Sequence, residues 1–219
     1  KNIKSIPCFF FSLSSLILCA DPNKTSLCNF ALRTLSFLSK DGMWRIPIQY
    51  QDVEPRYVDF LIAYEDKRYW SHLGIDPLAI LRAIGQLISS GQIISGASTI
   101  TMQVARLLEP RARTLSSKLI EMARAIQLEL TFSKEEILSM YFSLAPFGGN
   151  VEGAAAASLI YFNKVPAQLT ISEAALLVAL PQSPTVSRPD RNPHKATVAR
   201  NKVLERLLGE GLISERELN

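Results

Sequence analysis

Histidine is nearly missing from this 219-residue chain, which has only His72 and His194, so a multi-histidine metal centre is excluded. A serine hydrolase triad would have to use one of those two. Cysteine is almost as scarce. Cys8, Cys19 and Cys28 all lie in the first 28 residues and none forms a CxxC pair, which indicates neither a zinc site nor a disulfide scaffold. Charge of one sign is lacking too: 24 Lys and Arg against 20 Asp and Glu leave a formal +4, too mild for a nucleic-acid binder that must neutralise many phosphates. Strand-like alternation is nearly absent. What is present is apolar bulk, 47% hydrophobic against 20% charged, which excludes a disordered chain and allows a sizeable core. Carboxylates are left as the preferred catalytic groups.

Lys1 stands where a methionine would begin a full reading frame, so the chain reads as a fragment or a processed form. Lys1 and Lys4 precede an uncharged run from Ser5 to Ala20, a pattern that suits a signal-peptide core or a shortened membrane anchor. That run is shorter than the roughly 20 residues needed to span a bilayer. From Asp52 onward, helix starts are well marked. Asp76-Pro77 and Asn192-Pro193 each place a cap before a proline, while Ser133 with Glu136 and Thr170 with Glu173 form capping boxes. Thr114 and Ser98 are weaker start signals. Gly209 and Gly211 end a helix whose apolar residues are Ala196, Ala199, Val203 and Leu207. The body therefore reads as an all-α globule.

Three stretches carry chemistry. Glu65 to Asp76, EDKRYWSHLGID, closes an apolar helix over 55–64 with two adjacent acids flanked by Tyr64, Tyr69 and Trp70. A carboxylate partly desolvated by such aromatics suits a general base. Gly96 to Gln103, GASTITMQ, offers hydroxyls and an amide at a helix start, uncharged donors fit for a phosphate or a sugar. Arg106, Arg111, Arg113, Lys118 and Arg124 face only Glu109 and Glu121 in sequence, a local excess of cations. In the helix beginning near Thr114, Leu115, Leu119, Met122 and Ile126 form one stripe, with Ile120 and Leu128 projecting elsewhere, so the helix is expected to be covered on more than one side. Lys118 and Glu121 lie on neighbouring azimuths. Between the first two stretches, an uncharged run over 83–105 is broken by Gly85, Gly91 and Gly96, which rules out a regular spanning helix.

The first stretch, E-D-x-x-[aromatic]-x-x-H-x-G-x-D, resembles the first signature of the peptidoglycan glycosyltransferases of family 51, found in class A penicillin-binding proteins. GASTITMQ resembles the family's G-x-S-T-I-T-Q-Q, with Met102 in place of a glutamine, a change that fits the 1C-type branch and is expected to alter sugar contacts. Ser117-Lys118 to Glu121 resembles R-K-x-x-E with its arginine lost, a phosphate contact that Arg113 or Arg106 would replace. Lys134 to Ser143 resembles K-x-x-I-L-x-x-Y-L-N, a structural segment with Phe142-Ser143 for Leu-Asn. The resemblance covers roughly residues 37–218, giving a signal- or anchor-like segment over 1–36 and a glycosyltransferase domain over 37–219.

The resemblance implies a two-lobed, lysozyme-like helical fold on the outer face of a bacterial cytoplasmic membrane. It implies lipid II, a growing glycan strand and membrane lipid as partners, with no nucleic acid, and membrane contact along the 83–105 run. The reaction would transfer a glycan from an undecaprenyl pyrophosphate to a lipid II sugar 4-hydroxyl with inversion. Glu65 would be the base, with Asp66 tuning its charge or orientation and Glu121 assisting near the donor. Lys118, Arg113 and Arg106 would hold pyrophosphate, with a divalent cation, Mg or Mn, as the one cofactor to be considered. Ser98, Thr99 and Gln103 would contact sugar or phosphate, and His72 would pack or orient the loop. A lysozyme-like muramidase is the nearest enzymatic alternative, and an inactive membrane-associated fragment is the other. The cation cluster argues against hydrolysis of a neutral glycan, which needs no anion grip. No S-x-x-K, the penicillin-reactive serine motif, occurs in the chain.

Overall fold

The computed structural model describes residues 42–90 and 98–218. The anchor-like run, the three cysteines, Gly91 and Gly96 lie outside the described residues. Nine helices carry the described chain: α1 (Pro55–Glu65), α2 (Pro77–Ser90), α3 (Ile100–Leu108), α4 (Leu115–Glu129), α5 (Lys134–Leu144), α6 (Ala154–Phe162), α7 (Ile171–Ala179), α8 (Pro193–Gly209) and the short α9 (Glu215–Leu218). The all-α expectation holds.

The start signals behave as local physics dictates. Ser133 and Thr170 each accept the backbone N–H three residues on, while Glu136 and Glu173 reach back to the cap amides, so both capping boxes are complete. Asp76 Oδ1 accepts the Ala79 N–H at 2.9 Å and thereby opens α2. Asn192 differs: α8 does begin at Pro193, but the Asn192 side chain caps nothing, and its backbone N–H instead donates to the Arg188 carbonyl at 2.7 Å. Thr99, rather than Ser98, caps α3 through the Met102 N–H at 3.1 Å.

The core is assembled around α7, where Ala174 through Ala179 are all buried, as expected of a helix apolar on every side. It packs between α1 and α8, while α3 packs between α4 and α5. A three-stranded patch escaped the sequence reading because its strands, β1 (Trp44–Arg45), β2 (Pro146–Gly148) and β3 (Val151–Glu152), are too short to show alternation. Its order is β1-β3-β2, with β1 parallel and β2 antiparallel to β3. Arg45 and Glu152 sit opposite each other in register and form an ion pair. Ser143, which replaces the family's asparagine, is buried; its hydroxyl accepts the Ile48 N–H at 3.1 Å, while Ser139 accepts that of Tyr50 at 2.8 Å. These hydroxyls tie the incoming chain to α5.

The stripe expected to be buried on α4 is not. Leu115 is 88% exposed and Leu119 67%, with Ile120 and Ile126 also exposed, while Glu121, Ala125 and Leu128 face the interior. The reason is backbone proximity. A Cβ placed on Gly74 would lie 2.6 Å from the Ala125 carbonyl oxygen, so the 66–76 loop approaches α4 along its small-residue side and leaves the leucine side outward.

Asp76 also receives Arg68 in a forked ion pair. Burial works to raise this carboxyl, but the Arg68 hydrogen bonds, the Ala79 amide and the Arg68 charge outweigh it and hold Asp76 below its ordinary value. Glu173 is likewise held low: burial acts to raise it, while Lys164 and the Thr170 groups together prevail. A depressed carboxyl adds stability that is fully present above its unfolded value, near pH 4, and lost as pH falls through the folded value. Urea unfolding followed from about pH 5 down to about pH 2 is therefore expected to show a steep acid loss that is shallower in Asp76→Asn.

Candidate active site

The site is built where α1 ends. Glu65 is its last residue, and Asp66 leaves the helix with φ −157° while its N–H still bonds the Ile62 carbonyl. The Asp66 carboxylate turns inward and is buried, its side chain only 2% exposed. It accepts His72 Nε2–H at 2.9 and 3.0 Å and the Ile100 N–H, the first amide of α3, at 3.0 Å. An anion at a helix N-terminus is favoured by the unpaired amides and dipole there. These bonds tie the 66–76 loop to the start of α3.

His72 is buried on the same loop, and Lys134 Nζ donates to its carbonyl at 2.7 Å and pairs with Glu129. Thr101 donates to Glu129 as well, and Tyr69 donates its hydroxyl to the Lys134 carbonyl. Burial, followed by the nearby charges of Glu129, Asp66 and Glu135, pushes the Tyr69 hydroxyl far above its ordinary value, so it remains a donor. Sequence reasoning missed the Glu129–Lys134 pair, whose members look like ordinary surface charges.

Glu65 itself is half-buried, and each of its oxygens meets one amide: Gln103 Nε2 donates to Oε2 at 2.9 Å and Gln182 Nε2 to Oε1 at 2.8 Å. The aromatic cover expected here is partial, since Trp70 packs edge-on to Tyr50 and Tyr69 and is 50% exposed. Beneath lie Tyr57 and Tyr141, whose buried hydroxyls have no hydrogen-bond partner. Burial first, then the Glu65 and Tyr57 charges, raise the Tyr141 hydroxyl, while Arg106 opposes them. Arg106 thus shares the field of Glu65.

Across α3, Lys118 Nζ donates to Ser98 Oγ and lies 3.3 Å from Glu121 Oε2. Glu121 is 8% exposed, so this is not the surface pair its spacing suggests. Ser98 and Gln103 bound one short segment, roughly 11 Å from end to end for an extended link followed by a helical turn. Glu65 is bonded at one end of it and Lys118 at the other. Arg111 and Arg124 are both spent on Glu109. Among the described residues, Arg106 and Arg113 make no ion pair, and Arg113 immediately precedes the Thr114 cap of α4, one turn from Lys118.

Two expectations are corrected. Thr99 is buried, donates to the Gly74 carbonyl at 2.6 Å and caps α3, so it has no hydroxyl left for a sugar or phosphate. Met102 is 1% exposed, so its replacement of glutamine fills the core and does not touch a substrate. The Ser117 N–H donates to the Thr114 cap at 3.1 Å, and its hydroxyl accepts that of Thr114 at 2.9 Å. Gln182 was not singled out by the sequence: it lies in a segment, EAALLVALPQSP, that resembles the family's later core, and stands 117 positions from its partner.

The family model described as Transglycosylase matches residues 33–208. The chain belongs to the transglycosylase family. Penicillin-binding protein 1C of Escherichia coli (strain K12) is 50% identical over 182 residues, covering 83% of this chain and 24% of that protein. Penicillin-binding protein 1A of the same organism is 39% identical over 177 residues, covering 80% of this chain and 21% of the relative. This transglycosylase chain thus spans about a quarter of the length of those curated relatives. A crystal structure of penicillin-binding protein 1A from Haemophilus influenzae aligns with a TM-score of 0.48 and 24% identity, covering 80% of this chain and 17% of that one.

Replacing Asp66 with alanine leaves the Ile100 N–H and His72 without their acceptor. Asp66→Ala is expected to lose about 2–4 kcal/mol in urea denaturation and to accelerate hydrogen exchange at Ile100.

Proposed function

We propose that this transglycosylase domain polymerises lipid II, passing a growing glycan from its lipid diphosphate to the 4-hydroxyl of an incoming lipid II sugar with inversion. The observation that carries the reading is the placing of opposite charges along one short segment, residues 98–103. A carboxylate held only by neutral amides, Glu65, is bonded at the Gln103 end and Lys118 at the Ser98 end; Arg113 lies one turn from Lys118, Arg106 shares the field of Glu65, and neither arginine makes an ion pair among the described residues. Displacement at a sugar carbon needs these two opposites: a proton acceptor for the attacking hydroxyl and positive charge for the departing oxygens.

In this reading Glu65 takes the hydroxyl proton as the new glycosidic bond forms, and the bond to the diphosphate oxygen breaks on the opposite face of the sugar. Lys118 meets the diphosphate, with Glu121 fixing its ammonium and Ser98 steadying it from α3. Arg113 takes the place of the arginine that Ser117 lacks, and Arg106 adds charge from the last turn of α3. Asp66 and Thr99 position these groups through the protein interior. Among the described residues no three His, Cys, Asp or Glu side chains gather to hold a metal ion, and Lys118 already occupies Glu121. No step in this reading is routed through a divalent cation.

Among the described residues no helix is long and apolar enough to cross a membrane. The apolar surface of Leu115, Leu119 and Leu130 on α4, with Leu78, Leu81 and Ile88 on α2, supports contact with the lipid bearing the substrate. A hollow of about 350 Å³ lined by Leu119, Ile120 and Ala123 lies on that outer face of α4. We propose that the domain works on the outer face of the cytoplasmic membrane, a placement supported by its similarity to the penicillin-binding proteins.

Purified protein in detergent is expected to form glycan chains from lipid II, and Glu65→Gln to slow chain formation by about 100-fold or more. Soluble fragments released from purified cell wall, without polymer from lipid II, would favour the muramidase reading. Lys118→Ala is expected to weaken binding of the phosphoglycolipid moenomycin by about 10-fold, and unchanged affinity would remove Lys118 from the diphosphate site.

A further inference from the structure

We infer that Gln182 is a positioning residue that fixes the plane of the Glu65 carboxylate without neutralising its charge, a role that rests on the transfer reaction proposed above. The terminal torsion of a glutamate side chain is broad and lets the carboxylate swing. Here it is pinned from two sides, by Gln103 from α3 at 2.9 Å and by Gln182 from the loop after α7 at 2.8 Å. One donor would allow rotation about a single bond; one on each oxygen does not. An ionised carboxylate has about four acceptor positions, so two remain open to an incoming hydroxyl.

The neutrality of both donors matters as much as their placement. An arginine or lysine in either position would hold the carboxylate as firmly, but an adjacent cation favours the ionised form and weakens it as a proton acceptor. Amides orient the carboxylate without adding a full positive charge beside it.

The loop is constructed to keep Gln182 still although its side chain is exposed. Leu180, two residues earlier, is fully buried, and Ser187, five residues later, is also buried. The Ser183 carbonyl accepts the N–H groups of Val186 and Ser187 at 3.1 and 3.0 Å, closing the turn on itself. The turn is then pressed onto the β2–β3 connection: a Cβ on Gly148, whose φ is +112°, would lie 2.3 Å from the Pro184 carbonyl oxygen. Only glycine permits both that backbone angle and that approach. A surface glutamine with no task would not need a loop seated so closely.

The test compares wild type with Gln182→Met, of similar length but without a donor, and Gln182→Glu, of the same shape but carrying a second negative charge. Steady-state lipid II polymerisation is expected to show kcat reduced about 10- to 100-fold in Gln182→Met, as for loss of a hydrogen bond to a charged group, and further in Gln182→Glu. KM should stay within about threefold, because the lost contact is to the base and not to the substrate. In ¹⁵N–¹H correlation spectra, the Gln182 side-chain amide signals, identified by their loss in Gln182→Met, are expected to move in Glu65→Ala. A kcat within twofold of wild type in both variants, or amide signals indifferent to Glu65→Ala, would overturn the assignment. If wild type itself makes no polymer, the transfer reading falls, and the spectra still decide whether Gln182 holds Glu65.

Discussion

The buried carboxylate of Asp66 is the constraint on which the site depends. An isolated charge in the interior would be costly, and the fold meets that cost with an imidazole N–H from the same loop and the first amide of α3. Hydrogen bonds to a charged group are worth about 1.5–3 kcal/mol each, enough to fix where α3 starts relative to where α1 stops. Everything chemical is then referred to that junction. Glu65 is one residue from it, Thr99 and Ser98 directly precede it, and Gln103 stands one turn beyond. Two sequence segments 34 positions apart thus act as one rigid unit.

The charges around this unit are sorted more strictly than their number suggests. Glu109 absorbs Arg111 and Arg124, Glu121 meets Lys118, and Asp76 takes Arg68. Among the described residues, Arg106 in the last turn of α3 and Arg113 at the entrance to α4 make no ion pair. The transfer reading assigns these two arginines, with Lys118, to the diphosphate.

Much of this was legible in the sequence, because caps, boxes and signatures are local. The Ser133 and Thr170 boxes and the Asp76 cap formed where their spacing placed them, since each is decided within four residues. The joining of Glu65, Lys118 and Glu121 in one region was legible only through the family signatures. What stayed hidden depends on partners far away in the chain. Thr99 read as a ligand group because nothing in its neighbourhood reveals the Gly74 carbonyl that consumes its hydroxyl. The outward leucines of α4 read as core because amphipathic spacing says which residues share a face, not which face the protein covers. Gln182 went unmarked for the same reason: its meaning comes from Glu65, 117 positions away in the chain.

One contact described by neither motif nor charge count concerns α8. The Arg206 guanidinium lies over the Tyr64 ring at 4.9 Å, and Lys67 pairs with Glu210 just beyond, so the last turn of α8 clasps the residues on either side of the two acids. The corner that holds Glu65 and Asp66 is consequently finished only when α8 docks. A ribosome that had released everything through α7 would have delivered every acid and base of the groove, yet the backrest behind Glu65 would still be missing.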